Sequence, residues 1–202
     1  MRMDRNLIFW DVDTQVDFML PEGKLYVPGA ETIIPALARL TGWAARHDVL
    51  VVASADAHQP DDREFGLYPP HCLAGTPGQK KIPETMLLPQ FTIANRPLTV
   101  LPLARRYRQI IIEKQEFDVF TNPNTDPFLK QFGTPEIVLY GVVTEICVSA
   151  ATRGLLDRGY RVTVVEDAIR HLDQEKGRAF LEEVRQRGGR IVAADHWLSA
   201  AA

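Results

Sequence analysis

Cysteine is scarce in this chain, which has only Cys72 and Cys147 among its 202 residues. Two cysteines form at most one disulfide, so the composition is not that of a disulfide-rich secreted scaffold. A secretory signal is not expected either, because the apolar run in the opening MRMDRNLIFWDV is short and an aspartate interrupts it. We therefore expect reduced thiols and a cytoplasmic location.

Long apolar runs and an excess of positive charge are also missing. No apolar stretch approaches the roughly 20 residues of a membrane span, and the net charge is −3 with a pI near 6.0. These values favour neither a membrane nor a nucleic acid as a partner. With 46% hydrophobic and 24% charged residues, the chain is typical of a globular protein, and we expect one domain over residues 1–202.

Short runs rich in valine and isoleucine recur along the chain and predict strands. Continuous apolarity of this kind is typical of strands buried on both faces, as in a parallel sheet. Helical spacing of apolar residues lies between the runs, for example at Ile33, Leu37 and Leu40. The alternation predicts an α/β fold of three α/β/α layers around a six-stranded, parallel, doubly wound sheet. The predicted strands cover residues 7–12, 49–55, 109–114, 136–143, 161–167 and 190–195.

The region from residue 56 to about residue 98 breaks this alternation. It holds seven prolines and reads as a long loop. A loop of that length in a compact domain is usually functional or disordered. Its segment HQPDDREFGLYPPHCLAGTPGQ combines acidic, histidine and aromatic residues, which favours a functional loop.

Reactive side chains follow or end four of the predicted strands. Asp13 comes after the first strand, Asp56 and His58 close the second, Lys114 ends the third, and Cys147 follows the fourth. In open parallel sheets, ligands bind outside the carboxyl ends of the strands. The sequence therefore predicts that these side chains share one site.

Cys147 lies where a strand turns into a helix, in the stretch GVVTEICVSAATRGLLDRG. If Thr144 is the N-cap, Cys147 is the third helical position, where free N–H groups and the helix dipole lower a thiol pKa. Asp13 then supplies an acid/base and Lys114 a stabilising cation. The structural alternatives are a cysteine packed like alanine, a loop carboxylate and a strand-end lysine. Cys72 does not lie at a change from strand to helix, and it is interpreted as a packed thiol.

A second group of residues suits a metal ion. Asp56, His58, Glu64 and His71 offer carboxylate and imidazole ligands, the mixed oxygen and nitrogen set of a divalent transition metal. Zinc, iron and manganese all fit such a set with open positions. The alternative is that these are solvated loop residues.

Three motifs resemble those of the isochorismatase-like cysteine hydrolases. They are DTQVDF, DAHQPDDREFGLYPPHCLAGTPGQ and GVVTEICV, and the resemblance covers roughly residues 6–195. It implies a catalytic triad of Asp13, Lys114 and Cys147. It also implies a cis peptide between Val142 and Val143, and an oxyanion hole formed by the N–H groups of Val143 and Cys147.

Within that family, the metal-bearing branch is nicotinamidase. The resemblance places metal ligands at Asp56, His58 and His71, with Glu64 where many members have histidine. It implies substrate contacts by Phe18, Tyr68, Val142 and Val143, although many relatives have tryptophan in place of Tyr68.

The implied activity is hydrolysis of nicotinamide to nicotinate and ammonia through a thioester. Another amidohydrolase of the family, acting on a different small amide or ureido substrate, is the nearest alternative. A non-catalytic binding protein with the same fold is the third. Whether the chain forms a homo-oligomer is left open.

Overall fold

Seven parallel strands form one sheet in the computed structural model, which describes residues 6–200. Their order across the sheet is β3-β4-β2-β1-β5-β6-β7, and each neighbouring pair runs parallel. The predicted parallel, doubly wound sheet is confirmed. The strands are β1 (Leu7–Val12), β2 (Leu50–Asp56), β3 (Gln90–Ile93), β4 (Gln109–Lys114), β5 (Glu136–Val142), β6 (Arg161–Arg170) and β7 (Arg190–Val192).

Strand β1 shows why the central strands are continuously apolar. Ile8 and Trp10 point into one core, Phe9 points into the other, and all three are fully buried. Full burial of an apolar side chain of this size stabilises the fold by about 1.5–3 kcal/mol. Because a helical layer covers each face, no position on the strand has to be polar for solvent.

Helices on the two faces complete the three layers. On one face, Trp43 and Trp197 pack on Phe9, with ring centroids 5.6 and 5.1 Å from the Phe9 ring. On the other face, Leu155 and Phe180 share a core with the central strands. None of the helices within residues 6–200 is long and apolar enough to cross a membrane. The helices are α1 (Val16–Met19), α2 (Ile34–Arg46), α3 (Thr125–Leu129), α4 (Ser149–Asp157), α5 (Gln174–Gln186) and α6 (Ala194–Ala200).

The sheet has one strand more than the six predicted, because β3 lies inside the region read as a loop. Its sequence QFTI is only four residues long, follows Pro89 and is buried at one position only. It occupies the sheet edge beside β4, where burial imposes little apolar pattern. The single domain over residues 1–202 stays a prediction, and residues 1–5 and 201–202 lie outside the described residues.

Candidate active site

The carboxyl ends of β1, β4 and β5 bring three reactive side chains together. Asp13 follows β1, Lys114 ends β4 and Cys147 follows β5. Lys114 Nζ lies 2.9 Å from Asp13 Oδ2 and 3.6 Å from Cys147 Sγ. The chain order of the strands reverses at β1, the place where open α/β sheets bind ligands. The predicted grouping of these three residues is thus observed.

Asp13 is a buried carboxyl group held in one orientation. Its backbone has a φ of +50°, and Ser54 Oγ donates a hydrogen bond of 2.6 Å to its Oδ1. Burial raises the pKa of Asp13, an effect that the nearby Lys114 ammonium only partly offsets. A carboxylate with a raised pKa is a better proton acceptor near neutral pH.

Lys114 is a buried ammonium group that contacts the carboxylates of both Asp13 and Asp56. Burial alone favours the neutral amine, but the two carboxylates raise the pKa of Lys114 well above its usual range. The side chain therefore stays charged. Because the Lys114 ammonium already faces two carboxylates, it gives little stabilisation to a thiolate at Cys147.

The thiol of Cys147 lies in a π-helical turn, Thr144–Val148, that leads into α4. Val143 flanks the turn in place of the expected cap Thr144, and Cys147 is the fourth residue of the turn. Burial raises the pKa of Cys147 well above its ordinary value. Lys114 lowers it, but the nearby carboxylates raise it further. The expectation of a lowered thiol pKa is wrong for the resting site, because burial and two carboxylates raise this pKa more than Lys114 lowers it.

The residues predicted to bind a metal form a second group beside Lys114. Asp56, His58 and His71 are buried, and their ligand atoms all lie within 4.8 Å of one another. Glu64 joins them, with Oε1 3.7 Å from His71 Nε2 and Oε2 4.0 Å from His58 Nε2. Two carboxylates and two imidazoles around one point suit a divalent transition metal.

Both imidazoles turn the same nitrogen into this cluster. The Nε2 atoms of His58 and His71 lie 3.6 and 3.8 Å from Asp56 Oδ2. Neither Nε2 has a hydrogen-bond partner within residues 6–200, although both are buried. The Nδ1 atoms are hydrogen-bonded instead, that of His58 to Asp62 Oδ2 and that of His71 to the carbonyl oxygen of Pro69. A buried polar atom without a partner is costly. The two Nε2 atoms, together with the carboxylates of Asp56 and Glu64, therefore fit a bound metal ion.

The charge of the cluster also favours a cation. Burial lowers the pKa of His58, but its contacts with Asp56 and Asp62 more than reverse this and raise that pKa to about 9. The local field thus stabilises positive charge at the point where the imidazoles meet the carboxylates.

A narrow cavity of about 60 Å³ opens onto both groups. Cys147 lies on its wall, as do the ligand candidates Asp56, Glu64 and His71. The rest of the wall is largely apolar and includes the predicted substrate contacts Phe18, Tyr68 and Val143, together with Phe117, Ile146 and Leu172. A small apolar group with a polar end matches such a lining.

The Val142–Val143 peptide is cis, as the resemblance implies. Val143 lines the cavity, whereas the Val142 side chain is fully buried in the core and does not reach the cavity wall. Val142 is the last residue of β5 and its side chain lies in the core, so its substrate contact stays a prediction. The oxyanion hole of Val143 and Cys147 stays a prediction.

Comparison with known proteins agrees with this architecture. Residues 97–196 match the family model for the Isochorismatase domain. The nicotinamidase of Escherichia coli (strain K12) is 26% identical over 200 residues, which cover 85% of this chain and 87% of that protein. The crystal structure of the pyrazinamidase of Pyrococcus horikoshii in complex with zinc matches with a TM-score of 0.75 at 28% identity, over 93% of this chain and 99% of that one. Residues 97–196 thus contain an Isochorismatase domain, and the chain has the fold of isochorismatase-like hydrolases.

Amidases with a different substrate match this chain as well. The N-carbamoylsarcosine amidase from Thermoplasma acidophilum is as similar to it as the two relatives above. It has a TM-score of 0.74 and 26% identity over 94% of this chain and 97% of that one. Because relatives with different substrates match almost equally well, overall identity does not select the amide.

Gln15 supports this site through contacts that the sequence analysis did not predict. Its Nε2 donates to the carbonyl oxygens of Asp56 and Gln79 at 2.8 and 2.7 Å, and its Oε1 accepts from the Asp56 N–H at 2.7 Å. The side chain thus pairs with the end of β2 as a neighbouring strand would. It fixes the place of Asp56, and its occurrence two residues after Asp13 was the available signal.

The side chain of Cys72 packs in a different core cluster from that of Cys147. It is fully buried, and burial raises its pKa. Its backbone N–H donates to Asp17 Oδ2 at 2.7 Å, which ties the loop to α1. These contacts support its interpretation as a structural thiol.

Proposed function

We propose that this protein is a metal-assisted cysteine amidohydrolase that converts nicotinamide to nicotinate and ammonia. The observation that carries the proposal is the position of Lys114, whose ammonium contacts Asp13, Asp56 and Cys147 together. It joins a cysteine site to a metal-type cluster within one cavity. The cysteine suits amide hydrolysis, and the adjacent cluster favours an amide that also carries a ring nitrogen.

The first half of the reaction forms a thioester. The Asp13 carboxylate takes the proton of Cys147 as Sγ bonds to the amide carbon, because the resting thiol holds its proton. Lys114 balances the charge of the site during this transfer. The N–H groups of Val143 and Cys147 donate to the resulting oxyanion, each contributing about 3–4 kcal/mol in known oxyanion holes.

The second half releases both products. The carbon–nitrogen bond breaks, and Asp13 returns its proton to the leaving ammonia. Asp13 then takes a proton from a water molecule that attacks the thioester. The carbon–sulfur bond breaks and Cys147 regains its proton, so one amide and one water give one acid and one ammonia.

The metal-type cluster and two aromatic residues of the cavity wall orient the substrate. Asp56, His58, Glu64 and His71 would hold zinc, iron or manganese, which supplies a Lewis-acidic position for a ring nitrogen. Phe18 and Tyr68 offer aromatic faces to the ring. When the cluster and the aromatic faces hold the ring together, the amide carbon lies in front of Cys147. This is a positioning effect.

Ammonia release from a panel of amides tests this substrate assignment. The panel contains nicotinamide, pyrazinamide, maleamate and N-carbamoylsarcosine, each assayed with and without a chelator. We expect the highest kcat/KM for nicotinamide and loss of that activity after chelation. Preference for a non-aromatic amide, unaffected by chelation, would contradict the assignment and favour another amidohydrolase of the family.

Replacement of the nucleophile tests the chemistry. Cys147→Ala is expected to lower kcat by at least about 10⁴-fold while the protein melts at nearly the same temperature. Cys72→Ala is the matched control, because it removes the other buried thiol. An active Cys147→Ala protein would exclude the cysteine mechanism.

A further inference from the structure

Asp62 lies directly behind the metal-type cluster and contacts two of its members. Its Oδ2 is 2.9 Å from His58 Nδ1, and its Oδ1 accepts a hydrogen bond of 3.0 Å from the Glu64 N–H. Only 12% of its side chain is exposed. Both carboxylate oxygens are thus engaged with residues that face the cluster.

The first contact determines which nitrogen of His58 is free. A carboxylate accepts hydrogen bonds, so the proton of a neutral His58 ring lies on Nδ1 and the lone pair lies on Nε2. That Nε2 is the buried atom that faces Asp56 and has no partner within residues 6–200. A charged partner behind an imidazole also makes its outer nitrogen a stronger ligand.

His71 provides an independent example of the same arrangement. Its Nδ1 lies 2.9 Å from the carbonyl oxygen of Pro69, which can only accept. Its Nε2 is therefore also the lone-pair nitrogen, and it faces Asp56 and Glu64. In their neutral forms, the two rings, which lie on different parts of one loop, therefore both present Nε2 to the cluster as the ligand nitrogen.

The second contact places Glu64. Asp62 is the N-cap of the 3₁₀ turn Arg63–Gly66, and its bond to the Glu64 N–H is the capping bond. Glu64 reaches the cluster from this turn. One side chain therefore sets the orientation of a nitrogen ligand and the start of the turn that carries an oxygen ligand.

We propose that Asp62 is a positioning residue of the metal site, which orients His58 and Glu64 without binding the ion itself. Its oxygen meets the Nδ1 side of the His58 ring, opposite the nitrogen that faces the cluster. The proposal rests on the metal-assisted function proposed above, and its test measures metal affinity instead of turnover.

The test separates the two contacts with Asp62→Ser. A serine hydroxyl can still cap the turn at the Glu64 N–H, because serine is a good N-cap, but it has no second oxygen for His58. We expect zinc affinity, measured by competition with a chromophoric chelator, to fall about 10- to 100-fold. The visible spectrum of the cobalt-loaded protein should change, since the ligand field at His58 changes.

Asp61→Ser is the matched control, because Asp61 is the adjacent and exposed aspartate. Its zinc affinity and cobalt spectrum should equal those of the wild type. Asp62→Ala removes both contacts and should weaken zinc binding more than Asp62→Ser does. If Asp62→Ser fails to fold, Asp62→Asn, which keeps the side-chain volume and one acceptor oxygen, replaces it with the same expectation.

Equal zinc affinity in the wild type and in Asp62→Ser would overturn the proposal, as would a wild type that takes up neither zinc nor cobalt. A wild type that binds zinc but hydrolyses no nicotinamide would contradict the proposed function alone. In that case a fall in zinc affinity for Asp62→Ser would still support the role of Asp62.

Discussion

The charge of Lys114 governs the protonation of the thiol beside it. Its ammonium is the group that opposes the burial and the carboxylates that raise the pKa of Cys147. Lys114→Met keeps the side-chain volume and removes this charge. The thiol pKa should then rise further, so less thiolate is present at any given pH. The rate of iodoacetamide labelling of Cys147 should reach its midpoint at a higher pH than in the wild type.

A second buried lysine separates this effect from general damage. Lys81 instead contacts the buried Asp11, in a 2.8 Å ion pair, and Thr14, whose Oγ1 accepts a hydrogen bond of 2.7 Å from its ammonium. Breaking either buried pair costs about 3–5 kcal/mol of stability, so Lys81→Met and Lys114→Met should both melt early. Only Lys114→Met should shift the labelling profile. Identical profiles for the two variants would reduce Lys114 to a strand-end lysine.

Glu64 is the residue at which this chain departs from the commoner metal site. Both of its carboxylate oxygens face imidazole nitrogens, so Glu64→Gln should lose bound zinc and weaken nicotinamide binding. Alkylation of Cys147 should be unaffected. Glu84→Gln is the control, since Glu84 also lies in a 3₁₀ turn but is exposed. Elemental analysis of both proteins checks this, and equal zinc content would leave a three-ligand site.

At the level of elements, the junction of β5 with β1 depends on Gly141. Its φ is +121°, and a Cβ there would meet the carbonyl oxygen of Val12 at 2.0 Å. Gly141→Ala should therefore cost about 3–5 kcal/mol of unfolding free energy and disturb the turn that carries Cys147.

Gly159 supplies the comparison for that variant. It also has a positive φ, of +78°, but a Cβ there would meet nothing within 4 Å. Gly159→Ala should cost only the strain of the left-handed backbone, about 1–2 kcal/mol. Urea unfolding of both variants measures the difference, and equal losses would show that the contact with Val12 does not matter.

The elements that patterning predicts well are those whose environment is uniform along the strand. β1, β4 and β5 are buried on both faces, so their apolar runs and the reactive residues at their ends could be read directly. β3 could not, because an edge strand of four residues carries little pattern. The thiol pKa of Cys147 and the contacts of Gln15 and Asp62 depend on groups from other segments, which local sequence does not specify.

A bound metal should raise the melting temperature of the whole molecule. A ligand that binds only the folded state at 100 times its Kd adds about 2.7 kcal/mol. For a chain of this size, that corresponds to a rise in Tm of about 5–10 °C. Melting curves with zinc, with EDTA and with magnesium as a control check this. Superimposable zinc and EDTA curves would argue against the site.

The central place of β1 has a consequence for how the protein is made. β1 leaves the ribosome before the other six strands of this sheet, yet it pairs on one edge with β2 and on the other with β5, roughly 130 residues later in the chain. At about 5–20 residues per second, that second edge stays open for about 6–26 s. During this interval an apolar strand offers free N–H and C=O groups to other nascent chains. Fragments that stop before residue 136 should therefore aggregate unless a chaperone covers that edge.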